Sequence, residues 1–298
     1  MGVIDAHKYV DASTLENEED IEKAVLNYTI FGRVKPNQKR QIIKVLQSQG
    51  HTVAMTGDGV NDVLALKDSD CSIAMASGSD AARRTSQLVL TDSNFKSVPK
   101  VVMEGRRVIN NIERNASLFL VKTIYSFLLS ILFLFIPYNY PFEPIQLTLI
   151  SALTIGLPSF FFTFETNNNI IKKGFLKNVI KRASIGALTI VFNIVAVLII
   201  SYKLKLSKNE ISSMAAILTG VVGLMVLLSI CVPFTLRRKI LVISMSIMFL
   251  LAITFFEQLF SIYPVSLIGI FVIILLILID YPIIKLLHKM TNKVLKFH

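Results

Sequence analysis

The stretch that decides the fold is Met55-Thr56-Gly57-Asp58-Gly59-Val60-Asn61-Asp62, which follows the short apolar run Thr52-Val53-Ala54. Two carboxylates and an amide lie close together at a point where the apolar run predicts a strand that turns into a helix. Two glycines free the backbone there. Mg²⁺ takes oxygen ligands, usually one or two carboxylates beside a phosphate. The stretch therefore predicts a small site for a hard cation.

The residues around this stretch alternate between strand-like and helix-like patterns. The predicted helices are one opened by a capping box at residues 13–16, one from Pro36 to a stop at Gly50, and two short ones at residues 63–67 and 80–85. The predicted strands cover residues 28–34, 51–55, 71–75 and 88–90. This alternation predicts an α/β, Rossmann-like parallel sheet with helices on both faces. Ligands bind such sheets at the carboxyl ends of the strands, where the acidic stretch lies.

The composition changes along the chain near residue 114. Of the 298 residues, 53% are hydrophobic, and the mean hydropathy of +0.61 is too high for two soluble domains. Most acidic residues precede Arg114, whereas the chain from Leu118 onward consists of apolar runs and short polar loops. We predict a cytoplasmic domain with a connecting helix over residues 1–114 and a transmembrane domain over residues 115–298.

Six apolar runs are long enough to cross a hydrocarbon core, which needs about 20 mainly apolar residues. They cover residues 118–136, 145–164, 183–202, 211–236, 240–256 and 261–279. Only the first contains a charged residue, Lys122. The sequence therefore predicts an all-α membrane bundle of six helices, surrounded by lipid.

The basic residues between these runs lie mostly on one side of the predicted bundle. That side carries Lys172, Lys173, Lys177, Lys181, Arg182, Arg237, Arg238, Lys239, Lys285, Lys289, Lys293 and Lys296, and the other carries Lys203, Lys205 and Lys208. This asymmetry predicts that both termini are cytoplasmic. The start of the chain lacks the pattern of a signal peptide, so we expect insertion into the plasma membrane by the spans themselves.

The net charge of +11 does not indicate nucleic-acid binding, because the excess of Lys and Arg lies largely in loops that flank apolar runs. The two cysteines, Cys71 and Cys231, form neither a disulfide framework nor a metal spacing. In the second run, Pro158 preceded by Gly156 predicts a break in the helix. The break either lines a transport cavity or is a packing kink.

Together these motifs resemble one family, the P-type cation-transporting ATPases. Met55 to Asp62 is similar to the family's hinge motif, and Phe31-Gly32-Arg33-Val34-Lys35-Pro36 with Lys39 is similar to the segment that bears its phosphate-binding lysine. Further matches, in order and spacing, are Ala65-Leu66-Lys67, Ile73-Ala74-Met75, Asp92-Ser93-Asn94-Phe95, Glu104-Gly105-Arg106 and Asn110-Asn111. The resemblance covers the chain from about Tyr28 onward.

The resemblance implies a haloacid-dehalogenase-like phosphorylation domain and a role for each residue of the acidic turn. Asp58 would coordinate Mg²⁺, Asn61 and Asp62 would support that site, and Lys39 would neutralise phosphate charge. Thr56 and Gly57 would bound the phosphate pocket. ATP would be the substrate of the complete pump. Without the resemblance, Lys39 would be assigned to a solvated helix face.

Two departures from the family change what we expect of the chain. The phosphorylated aspartate lies in an Asp-Lys-Thr-Gly-Thr motif, which these 298 residues do not contain. The nucleotide-binding domain, the actuator domain and the first four spans would lie upstream. We therefore expect the carboxyl-terminal portion of an ATP-driven cation pump, with the missing amino-terminal domains as partners in the same or a separate chain, and no aspartyl phosphate on this chain alone.

Two other functions remain open from the sequence. The chain could be a truncated, catalytically silent membrane subunit that acts by binding a partner. It could also be a haloacid-dehalogenase-type phosphatase anchored by a membrane tail, although the missing nucleophile argues against that.

The second departure concerns the transported ion. Calcium pumps of the family carry Asn and Glu in the first of these spans, and Asn, Thr and Asp in the second. Here the first span offers Thr123 and Ser126, and the second offers Ser151 and Thr154. Only Thr154 matches, so we do not expect a site of the calcium-pump type.

Charged and amide groups inside spans are functional candidates. We expect Lys122 to act as a built-in countercharge near the transport site, as basic residues on the corresponding helix do in some proton and potassium pumps. The alternative is that Lys122 extends to the cytoplasmic interface. Asn193 and Glu165 are weaker candidates, since Asn193 could simply bond a neighbouring helix and Glu165 could lie at the interface.

Overall fold

The computed structural model describes residues 3–171 and 174–294, with side chains up to residue 285. Lys172, Lys173 and Lys296, which contribute to the predicted charge asymmetry, lie outside the described residues, as do the side chains of Lys289 and Lys293. The chain forms two compact units, Met1–Val102 and Met103–His298. The domain boundary at residue 114 stays a prediction.

Over the described residues 3–102, the first unit contains five short strands in two parallel sheets. The strands are β1 (Tyr9–Asp11), β2 (Ile30–Gly32), β3 (Ala54–Gly57), β4 (Cys71–Met75) and β5 (Leu88–Leu90). β1 pairs with β2, and a separate sheet has the order β3-β4-β5, with Thr56 opposite Ile73 and Ile73 opposite Leu88. The predicted parallel α/β architecture is confirmed. The strands form two separate parallel sheets, with β2 in one and β3 in the other.

Four α-helices lie wholly within the described part of the first unit: α1 (Glu18–Asn27), α2 (Pro36–Ser48), α3 (Val63–Asp68) and α4 (Asp80–Thr85). Leu66 on α3 and Ala82 on α4 are buried together with Ala74 of β4, in a core between these helices and the sheet. Helix α2 begins with proline in its first turn, as predicted, where a missing N–H costs nothing.

The predicted capping box at residues 13–16 is wrong. Asn17 caps α1 instead, because its side chain accepts a hydrogen bond from the Asp20 amide at 2.8 Å. Ser13 is unavailable as a cap, since its amide and hydroxyl both donate to Asp11 at 3.0 and 2.6 Å. Residues Ala12–Thr14 form a short 3₁₀ turn instead.

The remaining helices are α5 (Val98–Phe135), α6 (Pro144–Ser151), α7 (Leu157–Thr163), α8 (Phe175–Leu204), α9 (Lys208–Ile230), α10 (Leu236–Phe255) and α11 (Leu267–Val294). Within the described residues there are six membrane-spanning candidates, in which α6 and α7 together form one span. This confirms the predicted bundle. The fourth span ends earlier than predicted, at Ile230.

The break predicted at Pro158 occurs as a π-helical segment, Ala152–Gly156, between α6 and α7. Proline has no N–H to donate to the carbonyl of Thr154 four residues earlier, so a regular α-helix cannot continue through this point. Such π-helical segments are frequent at functional sites.

The charge content of the sixth span was predicted wrongly. The predicted run ended at Ile279, but the span covers Leu267–Lys285 and contains Asp280. Asp280 is fully buried. Lys122 is therefore not the only ionisable residue inside the bundle.

Candidate functional site

The acidic turn follows β3 directly, at the carboxyl end of the parallel sheet. Asp58 is the first residue beyond the strand, and a 3₁₀ turn at Val60–Asp62 leads into α3. The Asp58 side chain is exposed and makes no hydrogen bond or ion pair with any other described residue. Its carboxylate is therefore available to a ligand from solvent.

Asp62 is buried, at 7% exposed, and is bonded on both oxygens. Nζ of Lys39, on α2, donates to Oδ1 of Asp62 at 2.6 Å, and the amide of Gly59 donates to Oδ2 at 3.3 Å. Burial alone would raise the pKa of Asp62, but the hydrogen bond from Lys39, the amide of Gly59 and the Lys39 charge together hold this pKa below its usual value. Asp62 is therefore ionised at neutral pH.

Two glycines allow the backbone to close around this turn. A Cβ at Gly57 would lie 2.6 Å from Cβ of Asp62, and a Cβ at Gly78 would lie 2.6 Å from the carbonyl oxygen of Asp58. The same carbonyl accepts a hydrogen bond from the Ser79 amide at 2.7 Å. Gly78 therefore fixes the loop after β4 against Asp58, a role that the sequence reading missed.

The structure brings Lys39 and Gly57 each against Asp62, and Asp58 follows Gly57 directly in the chain. Thr56 is half-buried in β3, and Asn61 is exposed in the turn. The roles assigned to Thr56 and Asn61 stay predictions.

The described residues contain no group of three or more His, Cys, Asp or Glu side chains that could hold a metal ion by themselves. This fits Mg²⁺, which protein sites bind through one or two carboxylates, with substrate phosphate and water completing the shell. Asp58 would hold the ion, which would supply positive charge to phosphate oxygens.

A second polar site lies inside the membrane bundle, around Lys122 of α5. Nζ of Lys122 donates to Oγ of Ser151 at 2.8 Å, at the end of α6. Lys122 and the buried Thr154 line a cavity of about 10 Å³, room for about one water molecule. The geometry brings three of the five predicted transport residues together: Lys122, Ser151 and Thr154.

The other two predicted transport residues lie elsewhere. Thr123 is exposed on α5 and its hydroxyl donates back to the Phe119 carbonyl at 3.3 Å. Ser126 is not among the described residues that line the Lys122 cavity. Thr219 of α9 also lines the cavity, although its sequence context did not indicate this. It is 1% exposed, and its hydroxyl has no hydrogen-bond partner among the described residues.

Glu165 joins two buried arginines. Nη1 of Arg114 lies 2.7 Å from Oε2 of Glu165, and Nε of Arg238 lies 2.6 Å from Oε1. The three side chains are between 8% and 15% exposed. Arg238 also donates to the carbonyl of Pro233 at 2.7 Å. This cluster ties α5, the end of α7 and the start of α10 together.

Within the described residues, a parallel α/β unit with an acidic turn at a strand end is followed by six candidate membrane-spanning helices, and together they define an integral membrane protein with an α/β domain. The profile of the haloacid dehalogenase-like hydrolases matches residues 7–70. The probable cation-transporting ATPase exp7 of Streptococcus pneumoniae is 43% identical over 81% of this chain and 32% of its own length.

Two further relatives are named as calcium-transporting ATPases. CtpE of Mycolicibacterium smegmatis is 50% identical over 58% of this chain and 23% of its own length. The calcium-transporting ATPase of Bacillus subtilis is 35% identical over 51% of this chain and 17% of its own length. The chain belongs to the P-type cation-transporting ATPases and corresponds to their carboxyl-terminal portion. It spans a third or less of the length of these relatives.

Proposed function

We propose that the chain is the carboxyl-terminal part of an ATP-driven cation pump, in which Mg²⁺-dependent aspartyl-phosphate chemistry is coupled to cation transport. The observation that carries this proposal is the arrangement of Asp58, Asp62 and Lys39 at the carboxyl end of β3, in one chain with six spans. We further propose that both termini lie on the cytoplasmic side of the plasma membrane.

The chemistry proposed for the turn follows from the charges. Phosphoryl transfer is accelerated mainly by positioning and by cations around the equatorial oxygens. Asp58 is exposed and unpartnered among the described residues, so it would hold Mg²⁺ against the phosphate. Asp62 positions Lys39, whose ammonium has three N–H donors. One of them is directed at Asp62, which leaves two for phosphate oxygens.

The Lys122 cavity is the proposed transport site in this part of the pump. The relatives' names make Ca²⁺ the first ion to test. The described lining of the cavity provides hydroxyls and one ammonium, whereas Ca²⁺ takes six to eight oxygen ligands that usually include carboxylates. Identifying the transported ion therefore requires uptake measurements with a panel of cations that includes Ca²⁺, Na⁺, K⁺ and H⁺.

The test is ATP-dependent cation uptake by inverted vesicles from cells that express the full-length gene product. We expect uptake of one cation, loss of that uptake in Asp58→Asn, and retention in Glu22→Gln, which changes an exposed carboxylate of α1. Uptake that survives Asp58→Asn would overturn the proposed role of Asp58. Absence of any ATP-dependent uptake, with the chain bound to another membrane protein, would favour the silent subunit instead.

A further inference from the structure

Helices α8 and α11 meet at a buried polar pair inside the membrane bundle. Asn193 of α8 is 1% exposed and Asp280 of α11 is 0% exposed. Nδ2 of Asn193 donates to Oδ2 of Asp280 at 3.0 Å. Neither residue is among those that line the Lys122 cavity. The pair is therefore separate from the proposed transport site.

In each of the two side chains, one oxygen lacks a hydrogen-bond partner. Within the described residues, Oδ1 of Asp280 and Oδ1 of Asn193 have no hydrogen-bond partner. Both atoms are acceptors when Asp280 is ionised, so neither can satisfy the other. A buried polar group without a partner costs about 1–3 kcal/mol, and an ionised carboxylate inside a bilayer costs more.

The helices packed against Asp280 supply no compensating charge. The described titratable groups of α8, α9 and α11 are Lys177, Lys181, Arg182, Tyr202, Lys203, Lys208, Glu210, Tyr281 and Lys285. On α8 they lie nine or more residues from Asn193, roughly 13 Å along a helix. Glu210 bonds Ser266, roughly 20 Å along α11 from Asp280. Tyr281 and Lys285 are exposed. Among the described residues no cation pairs with Asp280.

We propose that Asn193 and Asp280 form a proton-binding site, in which Asp280 carries a proton on Oδ1 at neutral pH and donates it to Oδ1 of Asn193. A single proton then satisfies both leftover oxygens and removes the buried charge. The side chains become a reciprocal pair, joined by one hydrogen bond from the amide to the acid and one from the acid to the amide.

A metal cation fits this pair less well than a proton. Ca²⁺ takes six to eight oxygen ligands, whereas the pair has two unused oxygens. Pro282 inside α11 has no N–H to donate to the carbonyl of Leu278, which brings the number of unused oxygens to three at most, still fewer than Ca²⁺ requires. The other neighbouring carbonyls of α8 and α11 accept helical hydrogen bonds. The site therefore selects a proton, and this assignment does not depend on the proposed pump activity.

The sequence allows a test on the unmodified chain. Every aspartate other than Asp280 precedes residue 93, so Asp280 is the one aspartate in the last five spans. The full chain in lipid nanodiscs, with ¹³C-labelled aspartate side chains, is examined by infrared spectroscopy at pH 7. We expect a ¹³C-shifted C=O stretching band of a protonated carboxyl group. A spectrum that contains only carboxylate bands from labelled aspartate would overturn the proposal.

Variants then assign the band. Asp280→Asn should abolish the labelled C=O band, and Asn193→Leu should shift its frequency, because the acid loses its hydrogen-bond acceptor. Glu257→Gln changes an exposed carboxylate near the end of α10 and should leave the band unchanged. A labelled C=O band that persists in Asp280→Asn belongs to another aspartate and would contradict the assignment.

Discussion

Nζ of Lys39 lies 2.6 Å from Oδ1 of Asp62, and this contact joins α2 to the acidic turn that follows β3. The contact holds Lys39 at the turn that contains Asp58, although Lys39 and Asp62 lie 23 residues apart in sequence. In the proposed pump this makes Asp62 a positioning residue for Lys39, while Asp58 remains open to Mg²⁺.

The Lys39–Asp62 contact predicts a pH dependence of stability. The pKa of Asp62 is held below its usual value, so its contribution to stability is complete above the ordinary aspartate value of about 3.9 and is lost as the pH falls through the lower folded-state value. We expect Asp62→Asn to destabilise the first unit at pH 7 by about 1 kcal/mol, a value reduced because Lys39 is partly exposed. The difference from the wild type should start to shrink below a pH of about 3.9 and vanish once the pH has fallen through the lower folded-state pKa of Asp62.

Labelling of Cys71 measures this effect. Cys71 lies in β4 and is half-buried, whereas Cys231 is buried in the membrane unit. The rate at which a pyridyl disulfide modifies Cys71 reports opening of the first unit, and pyridyl disulfides react with thiols in acid. Asp62→Asn should accelerate labelling of Cys71 at pH 7 and leave Cys231 unchanged. Equal labelling rates in wild type and variant at pH 7 would contradict the prediction.

Gly57→Ala should separate Asp62 from Lys39. The added Cβ would lie 2.6 Å from Cβ of Asp62, and overpacking of this kind typically costs about 1–3 kcal/mol. We expect at least a tenfold loss of ATP-dependent uptake by the full-length gene product. Gly105→Ala is the matched control, because a Cβ there has no neighbour within 4 Å and alanine favours a helix interior by about 1 kcal/mol. Comparable losses in both variants would rule out the steric explanation.

Local sequence patterns were sufficient to predict much of the secondary structure of the first unit. The strand Cys71–Met75 and the helix Asp80–Thr85 were predicted with their observed bounds, because each ends at small or polar residues that interrupt its pattern. The prediction of the capping box was wrong because Ser13 bonds Asp11 instead. The sequence does not show which of two possible local hydrogen bonds forms. Gly78 was missed because its function depends on the distant carbonyl of Asp58.

In the membrane unit the spans were predictable and the buried polar contacts were not. An apolar run in the sequence is taken to end where a charged residue begins, so the predicted sixth span stopped just before Asp280. The partner of Asp280, Asn193, is far away in sequence. Arg238 was counted as a loop charge, yet it is 7% exposed, because Glu165 comes from another helix end. Long-range pairs of this kind leave no periodic signal in the sequence.

Lys122 can be tested by comparing two substitutions in the full-length gene product. Its ammonium donates to Ser151 inside the bundle. If this charge is a built-in countercharge, Lys122→Met should reduce ATP-dependent cation uptake at least tenfold, and Lys122→Arg should retain part of it because the charge is kept. Thr123→Val, at an exposed position on the same helix, is the control and should transport normally. Normal uptake in both Lys122 variants would remove the countercharge hypothesis.

Glu165→Gln should be among the most destabilising single substitutions in the membrane unit. It leaves Arg114 and Arg238, which are 8% and 7% exposed, without their shared carboxylate, and removal of one partner from a buried ion pair costs about 3–5 kcal/mol. The double variant Glu165→Gln, Arg114→Met should recover part of this loss, because it removes one of the two uncompensated charges. Thermal unfolding of the full chain in nanodiscs measures the free energies of unfolding of the wild type, Glu165→Gln, Arg114→Met and the double variant, with Glu257→Gln as the exposed control. Additive losses in the double variant would show that Arg114 and Glu165 do not stabilise the bundle as a pair.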